Sequence, residues 1–256
     1  MLPFVVIAIV ALLASFATFF SGFGLGTVLL PAFAIFFPIE TAVLATAIVH
    51  FANNIFKFTL VFNNLDRNLL LRFAVTAGIG SLLGAYLLEF LGKGGVVYSV
   101  QLGDSIFPVN WSSLVIGILM LLFALLDLLP LLDKLSVPEK WLPLGGLISG
   151  FFGGLSGHQG ALRAAFLSRV SIEKAVFVST SVAIAMVIDT VRISTYSMTK
   201  SFEDLPIPLL LTGIVFAFSG SFFGKRLFDK TENLNFRRLV AVFLFTMGMA
   251  TILGLT

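Results

Sequence analysis

Four long stretches of the chain carry almost no charge, and this feature limits the possible folds more than any other. Leu205 to Phe223, Trp111 to Leu126 and Leu239 to Leu255 contain no charged residue, and Ala42 to Val61 contains one lysine. Each is close to the ~20 residues that cross about 30 Å of hydrocarbon as a helix. Charged residues make up 11% of the chain, whereas a soluble domain has about 25%. We therefore expect an all-α polytopic membrane protein.

Two apolar stretches are interrupted by glycine. The chain reads FFSGFGLGTVLLP at 19 to 31 and FFGGLSGHQGALR at 151 to 163. Non-helical backbone at membrane depth is tolerated only where it lines a cavity or is covered by protein, because its N–H and C=O groups have no partner in lipid. Interrupted helices are also where transporters place their substrates. We therefore predict a substrate site at these two glycine hinges.

The two halves of the sequence resemble each other in three places. The hinges match, Ile39 to Val43 matches Ile172 to Val176, and a GSxxGxxL motif occurs at Gly80 and again at Gly220, at offsets of about 133 to 140. We predict one integral membrane domain made of two repeats, residues 1–130 and 131–256. Each repeat would hold a glycine-hinged helix pair, either broken or re-entrant, and three transmembrane helices.

The distribution of lysine and arginine predicts that the second repeat is inverted. With Arg163 and Arg192 left out, a single crossing by each hinged segment gives 8 basic residues inside and 6 outside, whereas a segment that enters and returns gives 12 and 2. Basic residues prefer cytoplasmic loops, so the second arrangement is favoured. It places both termini outside, residues 64–72, 131–141 and 225–238 in the cytoplasm, and residues 92–110 and 198–206 outside.

The motifs together point to a known family. The hinges SGFGLG and SGHQG, the GSxxGxxL motif and the segment AIVHFANNIFK at 47 to 57 resemble the sulfite exporter TauE/SafE family of bacterial membrane permeases. The resemblance covers nearly the whole chain. It implies a multi-pass protein of the bacterial inner membrane that exports sulfite, an organosulfonate or a related small oxyanion. The chain departs from the family pattern at Ala165, near the place that corresponds to Pro31 of the first hinge.

An anion site at the hinges is favoured by the chemistry around them. The helices that follow Gly26 and Gly160 would direct free N–H groups and the positive end of the helix dipole at the ligand. Arg163 lies one turn beyond the second hinge and needs a partner, an aqueous cavity or an anion; alternatively it reaches the cytoplasmic interface beside Arg169. The predicted substrate-binding residues are Ser21, Gly22, Gly24, Gly26, Asn53, Asn54, Ser156, Gly157, His158, Gln159, Gly160 and Arg163.

A second polar group lies on the helix after the first hinge. His50, either Asn53 or Asn54, and Lys57 share one helical face. Asparagine amides can donate to an oxyanion, and His50 is the candidate for proton coupling because histidine titrates near neutral pH. The alternative is a polar seam that holds helices together, with Lys57 as an interfacial anchor.

The matching helix of the second repeat also carries polar residues. Asp189 and Arg192 are three positions apart, and a structural ion pair within the membrane is the favoured interpretation. The hydroxyl residues 179 to 181 suit contacts with a ligand, but such hydroxyls commonly bond their own backbone.

We predict a secondary transporter that exports a small anion by alternating access, with proton coupling as an option. A passive anion channel is the alternative. A remote one is an intramembrane serine hydrolase, because Gly154 to Gly157 reads GLSG, although no histidine follows His158 in the chain. The chain has no cysteine and no nucleotide-binding motif, so we expect no enzyme activity, cofactor or metal. The expected partners are the small anion, the lipid bilayer and a second copy of the chain in a homodimer, and no nucleic acid.

The predicted topology can be tested with single cysteines, since the chain has none of its own. In intact cells, an impermeant maleimide should leave a cysteine at Lys230 unlabelled, because residues 225–238 are predicted to be cytoplasmic. A cysteine at Asp104, in the predicted external segment, should be labelled. Labelling at Lys230 would contradict the topology.

Overall fold

The structure is a computed structural model that describes residues 1–21, 24–129, 138–167, 170, 172–199, 205–226 and 234–256. Gly22, one of the predicted site residues, lies outside the described residues, and so does the side chain of Ser21. The same holds for Lys134, Arg169, Lys200 and Lys230, which entered the charge count.

The described residues form ten α-helices, five in each half of the chain. Six of them are long and apolar enough to cross a membrane, so the expected all-α polytopic fold is confirmed. The first half contains α1 (Leu2–Ser21), α2 (Leu25–Ala34), α3 (Ile39–Val61), α4 (Arg67–Gly92) and α5 (Trp111–Leu128). The second half contains α6 (Leu142–Ser156), α7 (Gly160–Leu167), α8 (Lys174–Thr199), α9 (Ile207–Arg226) and α10 (Leu234–Ile252).

Both predicted hinges are breaks between helices. The first separates α1 from α2 and the second separates α6 from α7. Gly24 has a φ of 118° and Gly157 a φ of 82°, in the left-handed region that side chains with a Cβ rarely adopt. Glycine is thus required at one position of each hinge.

A β-hairpin joins α4 to α5, where the sequence analysis placed only an external loop. Its strands, β1 (Val96–Leu102) and β2 (Ser105–Asn110), are antiparallel. The Gly103-Asp104 turn between them is a typical two-residue hairpin connection, so the sequence did carry the signal. The hydroxyl of Tyr98 donates to the carbonyl of Ile252 at 2.6 Å, which places the hairpin over the end of α10.

Glycines let α4 and α6 pack with their backbones in contact. A Cβ at Gly80 would overlap the backbone of Leu147 in α6, and a Cβ at Gly150 or Gly154 would overlap that of α4. Gly146, Gly150 and Gly154 meet Phe73, Ala77 and Ser81 in turn, so the two helices run in the same direction. This is the close approach that small residues four positions apart permit in membrane helices.

The corresponding helices of the opposite halves pack in the same way. Gly220 and Gly224 of α9 lie against the backbone of Leu12 and Phe16 in α1, again with the helices running in the same direction. The GSxxGxxL helix of each half therefore holds the first helix of the other half. In addition, α3 packs against α8 and α5 against α10.

Three helix boundaries near the hinges share one offset between the halves. Equivalent boundaries are 135 positions apart for the ends of α1 and α6, the starts of α2 and α7, and the starts of α3 and α8. This offset is two residues longer than the 133 positions that separate the pentapeptides at Ile39 and Ile172. Leu12 and Leu147 of the first helices are also 135 positions apart, whereas the glycines that they meet, Gly220 and Gly80, are 140 positions apart.

The α4–α6 contact predicts a strong effect of Gly150→Leu. The new side chain would overlap the backbone of Ala77, so we expect a loss of about 1–3 kcal/mol of stability or more. The melting temperature and monodispersity of the detergent-purified protein measure this loss. Gly95→Leu is the control, because a Cβ at Gly95 meets nothing within 4 Å. Equal melting temperatures for the two variants would contradict the packing.

Candidate functional site

A small cavity lies where the end of α1 and the start of α2 meet α3 and α8. Three residues predicted for the site, Gly24, Asn54 and His50, line it. Gly24 precedes α2 and provides no side-chain cap for its first N–H groups. The remaining lining residues are Thr18, Phe19, Leu25, Lys57, Val178 and Val182.

Lys57 is buried in this cavity, with 6% of its surface exposed. Its Nζ donates to the hydroxyl of Thr18 at 3.4 Å and lies 5.8 Å from the centre of the Phe19 ring. Among the described residues, no carboxylate oxygen lies within 4.0 Å of this ammonium group. This burial does not fit the alternative of Lys57 as an interfacial anchor. The cytoplasmic charge count, in which Lys57 was included, stays a prediction.

The carboxylate of Asp189 is the centre of the polar network beside the cavity. Arg192 contacts one carboxylate oxygen at 2.8 Å through Nη2 and at 3.0 Å through Nε, which confirms the predicted ion pair. Gln159 donates to the same oxygen at 3.1 Å. Two residues of α3 reach the other oxygen, His50 through Nδ1 at 2.6 Å and Asn54 through Nδ2 at 3.3 Å. The Asp189 side chain thus contacts residues of α3 and α8 and also Gln159, which directly precedes α7.

The protonation of neutral His50 follows from these contacts. An ionised carboxylate can only accept hydrogen bonds, so Nδ1 carries the hydrogen that is donated to Asp189. Nε2 is then the basic atom of the ring. Because His50 also lines the cavity, a proton bound at Nε2 adds positive charge beside the Lys57 ammonium.

Arg163 is buried, with 2% exposure, and does not reach the interface. Its Nε donates to the hydroxyl of Ser181 at 2.8 Å and its Nη1 to Oε1 of Gln159 at 2.6 Å. It does not line the cavity. Arg163 instead orients Gln159, which in turn donates to Asp189. Ser181, a weak candidate in the sequence, supplies the hydroxyl in this chain of contacts.

The two hinges lie next to each other. A Cβ at Gly26 would be 3.5 Å from the carbonyl oxygen of Gly157 and 3.5 Å from Cδ2 of His50. A Cβ at Gly157 would lie 2.9 Å from Nη1 of Arg192, so the second hinge lies against the Asp189 network. Gly160, the first residue of α7, is buried as well.

Asn53 faces away from the cavity, although it is adjacent to Asn54 in the chain. Its Oδ1 accepts hydrogen bonds from Ser221 at 2.8 Å and from Ser15 at 3.3 Å. These contacts join α1, α3 and α9. The structure therefore gives Asn53 the role of a polar seam between helices and Asn54 a place in the cavity lining.

Ser156 and His158 also lie outside the cavity lining. The hydroxyl of Ser156 donates to the carbonyl of Phe152 at 3.1 Å, and Nδ1 of His158 lies 3.0 Å from Ser156 Oγ. Because the serine hydrogen is already donated, Nδ1 acts as the donor to Oγ. The histidine ring stacks on Phe123 with centroids 4.9 Å apart. This arrangement does not activate Ser156 as a nucleophile, since a base would have to accept its proton.

The family comparison agrees with the resemblance seen in the motifs. The model of the family described as sulfite exporter TauE/SafE matches residues 7–251 of the chain. A comparison with curated proteins gave no match.

Proposed function

Because the chain belongs to the sulfite exporter TauE/SafE family, whose members are membrane transporters of sulfite or related anions and not enzymes, we propose a specific site and mechanism for it. The protein is a secondary transporter that exports a small oxyanion by alternating access. The anion binds in the cavity beside Lys57. Thr18, Asn54 and the N-terminal end of α2 complete its contacts.

The observation that supports this site is the buried ammonium of Lys57. Removing a charge from water costs several kcal/mol unless an opposite charge and hydrogen bonds compensate it. Among the described residues, Lys57 has only a hydroxyl and an aromatic ring as contacts. An oxyanion in the cavity supplies the missing charge. It also accepts hydrogen bonds from Asn54 and from the free N–H groups at the start of α2, where the helix dipole favours an anion.

The helix directions support inverted repeats. Lys225 at the end of α9 donates to the carbonyl of Leu60 near the end of α3 at 3.0 Å. Because α4 begins directly after α3, the start of α4 lies near the end of α9. The two helices α4 and α9 therefore run in opposite directions. Each of these helices runs parallel to the first helix of the other half, α6 in one case and α1 in the other. It follows that α1 and α6 run in opposite directions.

Two contacts support hinged segments that enter the membrane and return to the same side. With the orientation given by the charge count, both termini then lie outside the bacterial inner membrane. Tyr98 of the hairpin contacts Ile252 near the C-terminus, and Lys225 contacts Leu60. The re-entrant arrangement puts the members of each pair on the same side of the membrane. A single crossing by each hinged segment would put them on opposite sides.

In this orientation the cavity lies toward the cytoplasm. Lys57 is one turn before the end of α3 at Val61, the end that contacts Lys225. A site at this depth receives its anion from inside the cell, as an exporter requires. An inside-negative membrane potential then favours the exit of the anion by ~2.3 kcal/mol per charge per 100 mV.

Lys57→Met should weaken the binding of sulfite to the purified protein about ten- to a hundredfold, because one hydrogen bond to a charged group is lost. Isothermal titration calorimetry measures this change. Lys140→Met is the control, since Lys140 is exposed and lies over Trp141, and it should bind as wild type does. Sulfate, thiosulfate, sulfoacetate and short carboxylates, titrated in the same way, identify the preferred anion.

Wild-type affinity in Lys57→Met would remove Lys57 from the site. Transport in proteoliposomes separates a carrier from a channel. Flux that saturates and is stimulated by anion on the opposite side indicates the proposed carrier, whereas ohmic single-channel current would contradict it.

His50 is the proposed proton-coupling residue, because it lines the cavity and bonds to Asp189 of the other half. Arg163 and Arg192 also interact electrostatically with His50, and Lys57 lines the same cavity. His50→Gln keeps a hydrogen-bond donor but cannot gain a proton. We expect the variant to bind sulfite and to lose the pH dependence of export near neutral pH. Sulfite flux measured together with a pH-sensitive dye in proteoliposomes tests this expectation.

His158→Gln is the matched comparison, since His158 is the other histidine of the chain and does not line the cavity. It should keep the proton flux of the wild type. If both variants move protons with sulfite as the wild type does, neither histidine is the coupling residue. If the wild type itself moves no protons with sulfite, export is uniport driven by the anion gradient and the membrane potential.

A further inference from the structure

The Lys57 site has a counterpart in the second half of the protein. Lys57 Nζ donates to Thr18 of α1, and Arg192 Nη1 donates to the carbonyl of Gly153 in α6. Both the donors and the acceptors of these two contacts are 135 positions apart in the chain, the offset of the helix boundaries. Lys57 and Arg192 are therefore equivalent cations, each held by α3 or α8 against the first helix of its own half.

The two cations differ in the residue three positions before them. Asp189 precedes Arg192 and contacts it at 2.8 Å. The residue at the equivalent position before Lys57 is Asn54, whose neutral amide cannot balance the charge. The second half thus carries its own counter-ion, and the first half does not.

The hinge residues differ in the same sense. Gly24, which lines the cavity, corresponds to Gln159 of the second hinge at the same offset. The side chain of Gln159 extends to Asp189 at 3.1 Å and accepts from Arg163 at 2.6 Å. Glycine leaves space beside Lys57, whereas glutamine fills the equivalent space and is held there by two hydrogen bonds.

Building on the proposed function, we propose that Asp189 is a resident counter-ion that takes, in the second half, the place that the substrate anion takes in the first. Each chain then binds one anion. The residue at position 54 determines whether the Lys57 site accepts substrate: an amide leaves it open, and a carboxylate closes it.

The test is Asn54→Asp, which gives Lys57 the neighbour that Arg192 already has. The new carboxylate balances Lys57 and repels a second anion. We expect the affinity for sulfite to fall about a hundredfold or more, because the hydrogen bond from Asn54 to the anion is lost and that from Lys57 is weakened. Because Asn54 also donates to Asp189 at 3.3 Å, the new carboxylate loses this hydrogen bond and lies near a like charge, so in anion-free buffer the variant should melt below the wild type. Sulfite should no longer raise its melting temperature.

Two further variants separate the causes. Asn54→Ala removes the amide without adding a charge and should weaken sulfite binding about tenfold at most. Asn63→Asp makes the same substitution at an exposed position just beyond α3 and should leave binding unchanged. If Asn54→Asp binds no more weakly than Asn54→Ala, the closing role of the carboxylate is refuted.

The stoichiometry of the wild type provides a measurement that does not depend on any variant. Calorimetry should give one sulfite per chain, and two would show that Asp189 does not occupy the second position. If Asn54→Asp does not fold, this number decides. If Asn54→Asp binds sulfite normally while Lys57→Met does not, the proposed transport site stands and only the resident counter-ion is refuted. Normal binding in both variants would refute the proposed site itself.

Discussion

The buried carboxylate of Asp189 is the interaction on which the interior of this protein depends. It lies in α8, binds Arg192 of the same helix, and accepts from His50 and Asn54 of α3 in the other half. A lone charge at this depth would cost several kcal/mol, and a fully hydrogen-bonded one is retained. Since four side chains share this carboxylate, the position of α3 relative to α8 is tied to the second hinge through Gln159.

Close helix packing brings these groups within reach of one another. Gly80, Gly150 and Gly154 remove the side chains that would separate α4 from α6, and Gly220 does the same between α9 and α1. In each case a helix of one half holds the first helix of the other. The hinges that end α1 and α6 therefore meet beside α3 and α8, and the polar residues near them form one network.

Within this network the cations Lys57 and Arg192 have different neighbours. In the second half Asp189 accompanies Arg192, and Gln159 donates to the same carboxylate. The first half retains a cation, Lys57, beside a cavity, and its neighbour Asn54 is neutral. Under the proposed equivalence of the two halves, the cavity beside Lys57 is the place where a bound anion would lower the energy of the protein.

The sequence alone determined the membrane fold, the two hinges and the family, because apolar runs, glycine spacing and motifs are properties of neighbouring residues. Only the tertiary structure decided which asparagine faces the cavity: adjacent helical residues point about 100° apart, and the rotation of α3 is set by its packing partners. It also placed Lys57 inside the protein rather than at the interface. Finally, the helix boundaries beside the hinges share an offset of 135 positions, and at this offset Lys57 corresponds to Arg192. The motif matches give offsets of about 133 to 140, and a motif comparison cannot choose among them because equivalence is defined by contacts between distant helices.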